Sequence, residues 1–332
     1  MLNDTTPHSI DPLMSLGGPQ FEEVQLELVR FNARRLEPQL PGAHWRDDVD
    51  DDCALMRLEG TFIDAARRQI ARLVKDVPDR ADAFVAWFEA LRETGPGQRD
   101  PLFPWLAGRA SLAQMRWFLA QEVAGEAGFE DLLALTQLKM PQRAKLEMAR
   151  NYWDEMGRGT AKGMHGPMLS RLADELNIET THEATVPEAL ALGNVMMALA
   201  CNRRFAFHAV GALGVIEMTA PTRVGHVNEG LRRLGVPADA RHYFALHATL
   251  DIKHSRAWND EVLRPLVAED PRRAKAIAEG AMLRLWCGAR CFERYRAEFK
   301  LPAADTPTAT THRLRARQDA AMRSAPRTPL PL

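Results

Sequence analysis

Residues 243–258 read Tyr-Phe-Ala-Leu-His-Ala-Thr-Leu-Asp-Ile-Lys-His-Ser-Arg-Ala-Trp, and this stretch carries the strongest structural signal in the chain. At about 100° per residue, an α-helix places His247, Asp251 and His254 within about 60° of one another. One helix face therefore presents two imidazoles and a carboxylate. Such a set suits non-haem iron or manganese when coordination positions stay open for oxygen. The triplet alone is also compatible with a hydrogen-bonded helix surface.

The helical pattern extends outward from this stretch over the rest of the chain. Period-3.6 patterns recur throughout, whereas the period-2 alternation of strands appears nowhere at length. The sequence therefore predicts an all-α protein. The predicted helices span residues 21–35, 54–75, 80–93, 111–133, 141–156, 187–221 and 239–266. The acidic run 47–52 lacks the glycine turn and distal glutamate of a calcium loop, so we expect a solvated loop there.

Composition breaks divide the chain into three expected parts. The segment Thr94-Gly-Pro-Gly97 has the composition of a turn and predicts a boundary near residue 100. We expect an amino-terminal helical extension over residues 1–100 and a helical bundle over 101–300. Residues 301–332 mix Pro, Thr, Ala and Arg without periodicity, which predicts a weakly ordered tail.

Charge and cysteine content exclude several classes of partner. The chain has 43 basic and 44 acidic side chains, so nothing suggests nucleic acid or an anionic membrane as a partner. It has no signal-peptide pattern at the amino terminus and no apolar stretch of about 18 residues. We therefore expect a cytoplasmic protein. Its cysteines are too few for a disulfide framework, and Cys287 and Cys291 are expected to be small apolar helix residues.

Two carboxylates continue the apolar stripe of the helix predicted to begin at Ser111. Ser111 and Gln114 form a capping-box start, and Glu122 and Glu126 then lie in line with Met115. Burying carboxylates is costly unless they are paired, protonated or bound to a metal. The alternative is a rotated helix, with both carboxylates facing water or a neighbouring arginine.

Three further polar residues occupy positions where core residues are expected. Glu155 follows Tyr152 on one helix stripe, and Glu217 stands near the end of a helix that is otherwise almost entirely apolar. Glycines between residues 157 and 163 let His165 turn back toward the same interior. Taken singly, Glu217 could be exposed at a helix terminus and His165 could be an ordinary packed histidine.

Together these residues resemble the haem-oxygenase-like di-iron oxidases and oxygenases, also described as iron-containing redox enzymes. The residues that carry the resemblance are Asn151-Tyr-Trp-Asp-Glu155-Met-Gly-Arg-Gly159, His165, Glu217 and His247-x3-Asp251-x2-His254. The resemblance covers roughly residues 101–300 and implies a bundle of about seven helices that binds no haem. It implies two Fe(II) per chain, one held by Glu122, His165 and His254 and the other by Glu155, His247 and Asp251, with Glu217 as an additional carboxylate. Glu126 is a possible substitute for Glu122.

The resemblance also implies an activity. Its members are oxidoreductases that use dioxygen for N-oxygenation, desaturation or carbon–carbon cleavage of small molecules. We expect an amine- or amino-acid-derived substrate in a biosynthetic pathway, and a homodimer, because relatives with extra amino-terminal helices use them to dimerise. Two alternatives stay open: a mono-iron or other metal-dependent helical enzyme that uses only the His-Asp-His helix, and a non-catalytic helical binding protein.

Overall fold

The structure, a computed structural model, describes residues 19–40, 42, 45–125 and 128–304. These residues form helices and contain no strand, apart from one isolated antiparallel bridge between Met156 and Met164. The all-α prediction is confirmed. In chain order the α-helices are α1 (Pro19–Leu36), α2 (Trp45–Ile70), α3 (Ala81–Thr94), α4 (Leu102–Gly108), α5 (Leu112–Gly125), α6 (Phe129–Thr136), α7 (Gln142–Glu155), α8 (His165–Glu175), α9 (Pro187–Cys201), α10 (Ala206–Arg233), α11 (His242–Ala257), α12 (Arg264–Glu269) and α13 (Arg273–Glu298).

The long helices α10 and α13 form the centre of the fold and cross at two glycines. A Cβ atom at Gly211 would overlap the backbone carbonyl of Ile277, and one at Gly280 would overlap that of His208. Glycine has no Cβ, which allows the two backbones to approach this closely. Because α10 also packs along α11, the crossing sets where the residues of all three helices meet.

The first three helices pack on the rest of the chain. On α1, Asn32 Nδ2 donates to Asn194 Oδ1 of α9 at 2.8 Å. On α2, Arg67 Nη2 pairs with Glu279 Oε2 of α13 at 2.9 Å. Apolar residues of α1 to α3 belong to the same buried cluster as those of α6, α7, α9, α10 and α13. The region expected to be an extension therefore shares a hydrophobic core with the bundle.

Two helix boundaries predicted in the first half of the chain are wrong. The acidic run 47–52 belongs to α2 and not to a loop, because acidic residues near a helix amino terminus are stabilised by the helix dipole. The helix predicted over 111–133 is divided, since α5 ends at Gly125 and α6 begins after Gly128, whose φ of 68° is left-handed. Glu126 lies outside the described residues.

The start of α5 is as predicted. Ser111 N donates to Gln114 Oε1 at 2.9 Å, and Gln114 N donates to Ser111 Oγ at 3.3 Å, so the capping box is confirmed.

Two boundaries also differ in the second half. The helix predicted over 187–221 is interrupted between α9 and α10 by a 3₁₀ turn, Arg203–Phe205, and α10 then continues through Pro221. Proline removes one backbone hydrogen bond, but residues of α10 stay buried on both sides of it, so packing maintains the helix. The helix predicted over 239–266 contains a π-helical turn, Trp258–Leu263, between α11 and α12.

None of the helices in the described ranges is both long enough and apolar enough to cross a bilayer. Most of the predicted tail, residues 305–332, lies outside those ranges.

Candidate metal centre

A glycine-containing turn brings Glu155 and His165 to the same interior. α7 ends at Glu155, and α8 begins at His165. Between them, Gly157 has a φ of 60° and Gly159 a φ of 81°, conformations that glycine adopts without strain. A Cβ at Gly157 would overlap the backbone of Gly163, so the turn closes tightly on itself. The chain thus reverses between the two polar residues, as the glycine pattern predicted.

The first trio of candidate ligands combines α7, α8 and α11. Glu155, His165 and His247 are all buried, and one ligand atom from each lies within 4.8 Å of the others. His165 Nδ1 lies 2.6 Å from Glu155 Oε2, and His247 Nε2 lies 4.0 Å from Glu155 Oε1. The two imidazole rings meet edge to face, with centroids 4.6 Å apart.

The second trio combines α10 and α11. Glu217, Asp251 and His254 are buried and also offer ligand atoms within 4.8 Å of one another. His254 Nδ1 lies 3.5 Å from Glu217 Oε2. Because Asp251 and His254 share a face of α11 with His247, this helix supplies ligands to both trios.

Neighbouring acceptors fix the orientation of both α11 imidazoles. His247 Nδ1 lies 2.8 Å from the backbone oxygen of Tyr243, and His254 Nε2 lies 3.1 Å from Asp154 Oδ2. In a neutral ring, an N–H donated to each acceptor leaves Nε2 of His247 and Nδ1 of His254 free and turned toward the carboxylates. Such hydrogen bonds are typical of metal-ligating histidines, which are held in one tautomer by the group opposite the metal.

Burial changes the acidity of the ligands. Burial, followed by the charge of Glu217, raises the pKa of Glu155 well above its usual range, and the same two causes raise the pKa of Asp251. Burial and His165 lower the pKa of His247 to about 4, so this imidazole is neutral near pH 7. The carboxylates of Glu155, Asp251 and Glu217 lie close together in a poorly solvated interior. A cation among them would offset their mutual repulsion.

His254 is the exception. Burial lowers its pKa, but Glu217, Asp154 and Glu155 outweigh that effect and raise it to about 9. In the absence of a cation, a protonated His254 would supply part of the missing positive charge.

The donor atoms fit divalent transition metals. Among the described residues, Asp251 Oδ1 has no hydrogen-bond partner, and His165 Nδ1 and His254 Nδ1 lie near carboxylate oxygens without hydrogen-bond geometry. Buried polar atoms are normally satisfied, so these three atoms in two adjacent trios need an explanation. Two metal ions, each held by imidazole nitrogen and carboxylate oxygen, would satisfy all three.

The structure does not bring Glu122 into either trio. Its Oε1 accepts a hydrogen bond from the Tyr295 hydroxyl at 3.0 Å. The ligand grouping also differs from the one implied by the resemblance, because His165 lies with Glu155 and His247, while Asp251 and His254 lie with Glu217. The α7–α8 turn decides this, since it places His165 against Glu155.

A cavity of about 150 Å³ connects these groups. Five of the seven predicted site residues line it: Glu122, Glu155, Glu217, His247 and Asp251. His165 and His254 do not line it. Most other lining side chains are apolar or aromatic, and the additional charged ones are Arg223 and Arg284.

Three polar residues beside the trios were not predicted as site residues from the sequence. Asp154 contacts His254, and Asn151 Nδ2 donates to Glu217 Oε1 at 2.6 Å. A Cβ at Gly166 would lie 2.8 Å from Glu130 Oε1, so this glycine makes room for a further carboxylate beside His165. Asn151 was open to prediction because it stands one helical turn before Glu155. Asp154 and Glu130 had no such signal.

The buried Cys287 and Cys291 do not join the candidate centre. Both are free thiols, and burial raises the pKa of Cys287 to about 12. Cys291 Sγ donates to the backbone oxygen of Glu188 at 3.3 Å. They act as small core residues, as their positions predicted.

Comparisons with known proteins connect this geometry to a family. The sequence profile of a family described as iron-containing redox enzymes matches residues 116–289, just over half of the chain. Among curated proteins, none matches. Similar solved structures include a CADD-like protein of unknown function from Nostoc punctiforme, 17% identical, with a TM-score of 0.45 over 72% of this chain and 97% of that one. Another is a domain of unknown function with a heme oxygenase-like fold from Shewanella denitrificans, 15% identical, with a TM-score of 0.43 over 66% of this chain and 91% of that one.

Proposed function

Because the chain belongs to the iron-containing redox enzyme family, we propose that it is a di-iron enzyme that uses dioxygen to oxidise a small amine- or amino-acid-derived molecule. The observation that carries this proposal is the pair of buried trios on α7, α8, α10 and α11. Each trio combines carboxylate and imidazole donors, and both lie beside one mainly apolar cavity. Residues of this kind in this arrangement suit iron better than calcium or magnesium, which prefer oxygen ligands alone.

Each trio would hold one ion. Glu155, His165 and His247 would bind the first, and Glu217, Asp251 and His254 would bind the second. When bound, two ferrous ions supply the electrons with which dioxygen is activated. The chain would contribute the coordination geometry and a site from which bulk water is excluded.

Residues outside the trios would keep the ligands in position. Asp154 and the Tyr243 carbonyl accept from the non-ligating nitrogens of His254 and His247, and Asn151 donates to Glu217. These contacts hold the free imidazole nitrogens toward the carboxylates of the trios. A ligand shell held in this way binds metal without first having to reorganise.

The cavity would select and protect the substrate. Its apolar and aromatic walls favour a small organic molecule, and they keep water from the reacting group. N-oxygenation requires an amine nitrogen next to the metals, whereas oxidation at carbon requires a C–H bond there. This reacting group would lie beside Glu155, Glu217, His247 and Asp251, the proposed ligands that line the cavity.

Anaerobic reconstitution tests the function. The purified chain is loaded with Fe(II) under argon, and its iron content per chain is measured. It is then mixed with oxygen-saturated buffer in a stopped-flow instrument, with and without candidate amines and amino acids. We expect two irons per chain and a transient visible absorption whose decay depends on one substrate class. One iron per chain would favour the mono-iron alternative, and the absence of both iron and dioxygen uptake would favour a binding protein.

A matched pair of variants makes this test specific. His247→Ala removes a ligand of the first trio, whereas His226→Ala removes a histidine of α10 that belongs to neither trio. Iron content should fall in the first variant and stay at two per chain in the second. Equal iron content in both would contradict the assignment of the trios.

A further inference from the structure

The cavity has a second polar group of residues that the metal centre does not use. Arg223 on α10, Arg284 on α13, Glu122 on α5 and Tyr295 on α13 all line it. From these residues we infer that the cavity contains a carboxylate-binding subsite formed by Arg223 and Arg284, and that the substrate is a small monocarboxylic acid. This inference rests on the proposed function for the identity of its ligand as a substrate, but the binding site itself is independent of iron.

The charges of the cavity's second polar group do not balance. In the described part of the chain, no hydrogen bond or ion pair is formed by Arg223 or Arg284. The charge of Glu122 acts on Arg223, while the hydrogen bond to Glu122 comes from Tyr295. Among these four residues, two guanidinium groups and one carboxylate leave one positive charge in excess. Both arginines are half-buried and line the cavity, so a bound monoanion would complete the group.

The acidities of these groups agree with an unpaired cation. Burial and the charge of Arg284 lower the pKa of Arg223 to about 9, although the charge of Glu122 acts in the opposite direction. Burial raises the pKa of Glu122, although Tyr295, Arg284 and Arg223 act in the opposite direction. Any protonation of Glu122 would increase the excess positive charge.

Local packing gives the guanidinium of Arg284 a defined place. A Cβ at position 288 would lie 2.9 Å from Arg284 Nη1, so Gly288 leaves room for this side chain along α13. Arg223 Cζ lies 5.7 Å from the ring centroid of Phe292, which belongs to α13 like Arg284. Two arginines held against helix surfaces can present N–H groups to both oxygens of a carboxylate.

The subsite lies apart from the metal ligands. Arg223 follows Glu217 by six residues on α10, which corresponds to about 9 Å along a helix axis. Arg284 belongs to α13, which contributes no residue to either trio. The apolar residues that line the same cavity include Leu119, Val224 and Phe244. A ligand anchored at the arginines would therefore extend an apolar body toward the metals and be oxidised away from its carboxylate.

Binding to the metal-free chain tests the inference without turnover. The affinities of hexanoate, 1-hexanol and hexyl phosphate for the full chain are measured by calorimetry, because without iron a carboxylate cannot bind as a metal ligand. We expect hexanoate to bind best. Binding of 1-hexanol as tight as hexanoate would show that no anion site exists, and tighter binding of hexyl phosphate would overturn the monocarboxylate assignment.

Variants identify the arginines. Arg223→Gln and Arg284→Gln should each weaken hexanoate binding by about 10- to 100-fold, since each loses a charge-assisted hydrogen bond. Arg232→Gln on α10 and Arg294→Gln on α13 remove arginines that do not line the cavity and should leave the affinity unchanged. Unchanged affinity in both cavity variants would refute the subsite.

A charge-conserving variant and an iron measurement complete the test. Arg223→Lys retains the charge, so it should bind hexanoate more weakly than the natural chain and more tightly than Arg223→Gln. Equal loss in both variants would argue against charge recognition. If hexanoate binds at the arginines but the chain takes up no iron, the proposed function fails and the subsite stands. If iron loads normally but hexanoate does not bind, the subsite fails alone.

Discussion

At the scale of single residues, the candidate centre depends on acceptors that hold the imidazoles in one tautomer. Asp154 accepts from His254 Nε2 while Arg158 Nε donates to the other Asp154 oxygen at 2.6 Å. Asp154 is thus a positioning residue, since it contacts a proposed ligand and not the metal. Its carboxylate fixes which nitrogen of His254 is free.

We expect Asp154→Ala to lower Fe(II) affinity by about 10- to 100-fold, because His254 would lose its orienting partner. Competition with a chromophoric chelator measures the change. Asp154→Asn keeps an acceptor oxygen and should restore part of the affinity. Asp174→Ala, which removes an exposed carboxylate of α8, is the control, and an equal loss in that variant would indicate a general charge effect.

A second prediction at this scale concerns Glu122. The structure places it with Tyr295 and outside both trios, whereas the resemblance implies that it binds iron. We therefore expect Glu122→Gln to retain two irons per chain and Glu217→Gln to retain fewer. Iron analysis after anaerobic loading distinguishes them. Loss of one iron from Glu122→Gln would mean that Glu122 is a ligand after all.

At the scale of elements, the turn between α7 and α8 determines where His165 lies. Gly157 has a φ of 60°, and its Cβ position overlaps Gly163, so the turn depends on glycine at both places. The bridge between Met156 and Met164 closes the same turn. His165 joins Glu155 only because these contacts reverse the chain.

We expect Gly157→Ala to open the turn and move His165 away from Glu155. The variant should bind about one iron per chain, because Glu217, Asp251 and His254 do not depend on the turn. Iron analysis and circular dichroism measure the two effects separately. Lys162→Ala, at an exposed position in the same turn, should behave like the natural chain. Two irons bound to Gly157→Ala would show that the turn tolerates a Cβ.

The crossing of α10 and α13 is the other element-scale feature on which the site depends. Gly211→Ala should reduce the free energy of unfolding by about 1–3 kcal/mol or more, because the added methyl group forces two backbones apart. Gly225→Ala lies in the same helix with no atom within 4 Å of the added Cβ, and it should stabilise the helix by about 0.5–1 kcal/mol. Urea unfolding compares them, and equal stability would contradict the close crossing.

At the scale of the whole molecule, the state of association is still a prediction. The inward faces of α1 to α3 already pack on the bundle, so a homodimer would have to use an outward face. α2 offers an exposed stripe of Trp45, Val49, Cys53 and Met56. Their spacing of four, four and three residues places them on one side of the helix.

We expect a mass of about twice 37.2 kDa by light scattering, and we expect Met56→Glu to shift the protein toward the monomer. Leu146→Glu introduces the same charge at an exposed position of α7 and serves as the control. A mass of 37.2 kDa for the natural chain would reject the dimer. A dimer that survives Met56→Glu would place the interface elsewhere.

The sequence by itself determined the helical class and the identity of most polar residues at the centre. Helical periodicity is a local property, so the face shared by His247, Asp251 and His254 follows from their spacing alone. Glu155 and Glu217 were also predictable from local sequence, because a carboxylate on an apolar helix stripe is costly to bury without a partner. The glycines before His165 correctly predicted a chain reversal.

Only the tertiary structure decided which residues meet. The grouping of His165 with Glu155, the separation of Glu122 from the trios and the approach of Arg223 to Arg284 join helices far apart in sequence. Such pairings depend on how helices cross and rotate, and here the close contact at Gly211 and Gly280 is one determinant. Packing likewise kept α10 continuous through Pro221, because burial on both sides outweighed a local preference. Local patterns carry no information about those long-range contacts, which is why the candidate residues could be named one by one from the sequence but their arrangement could not.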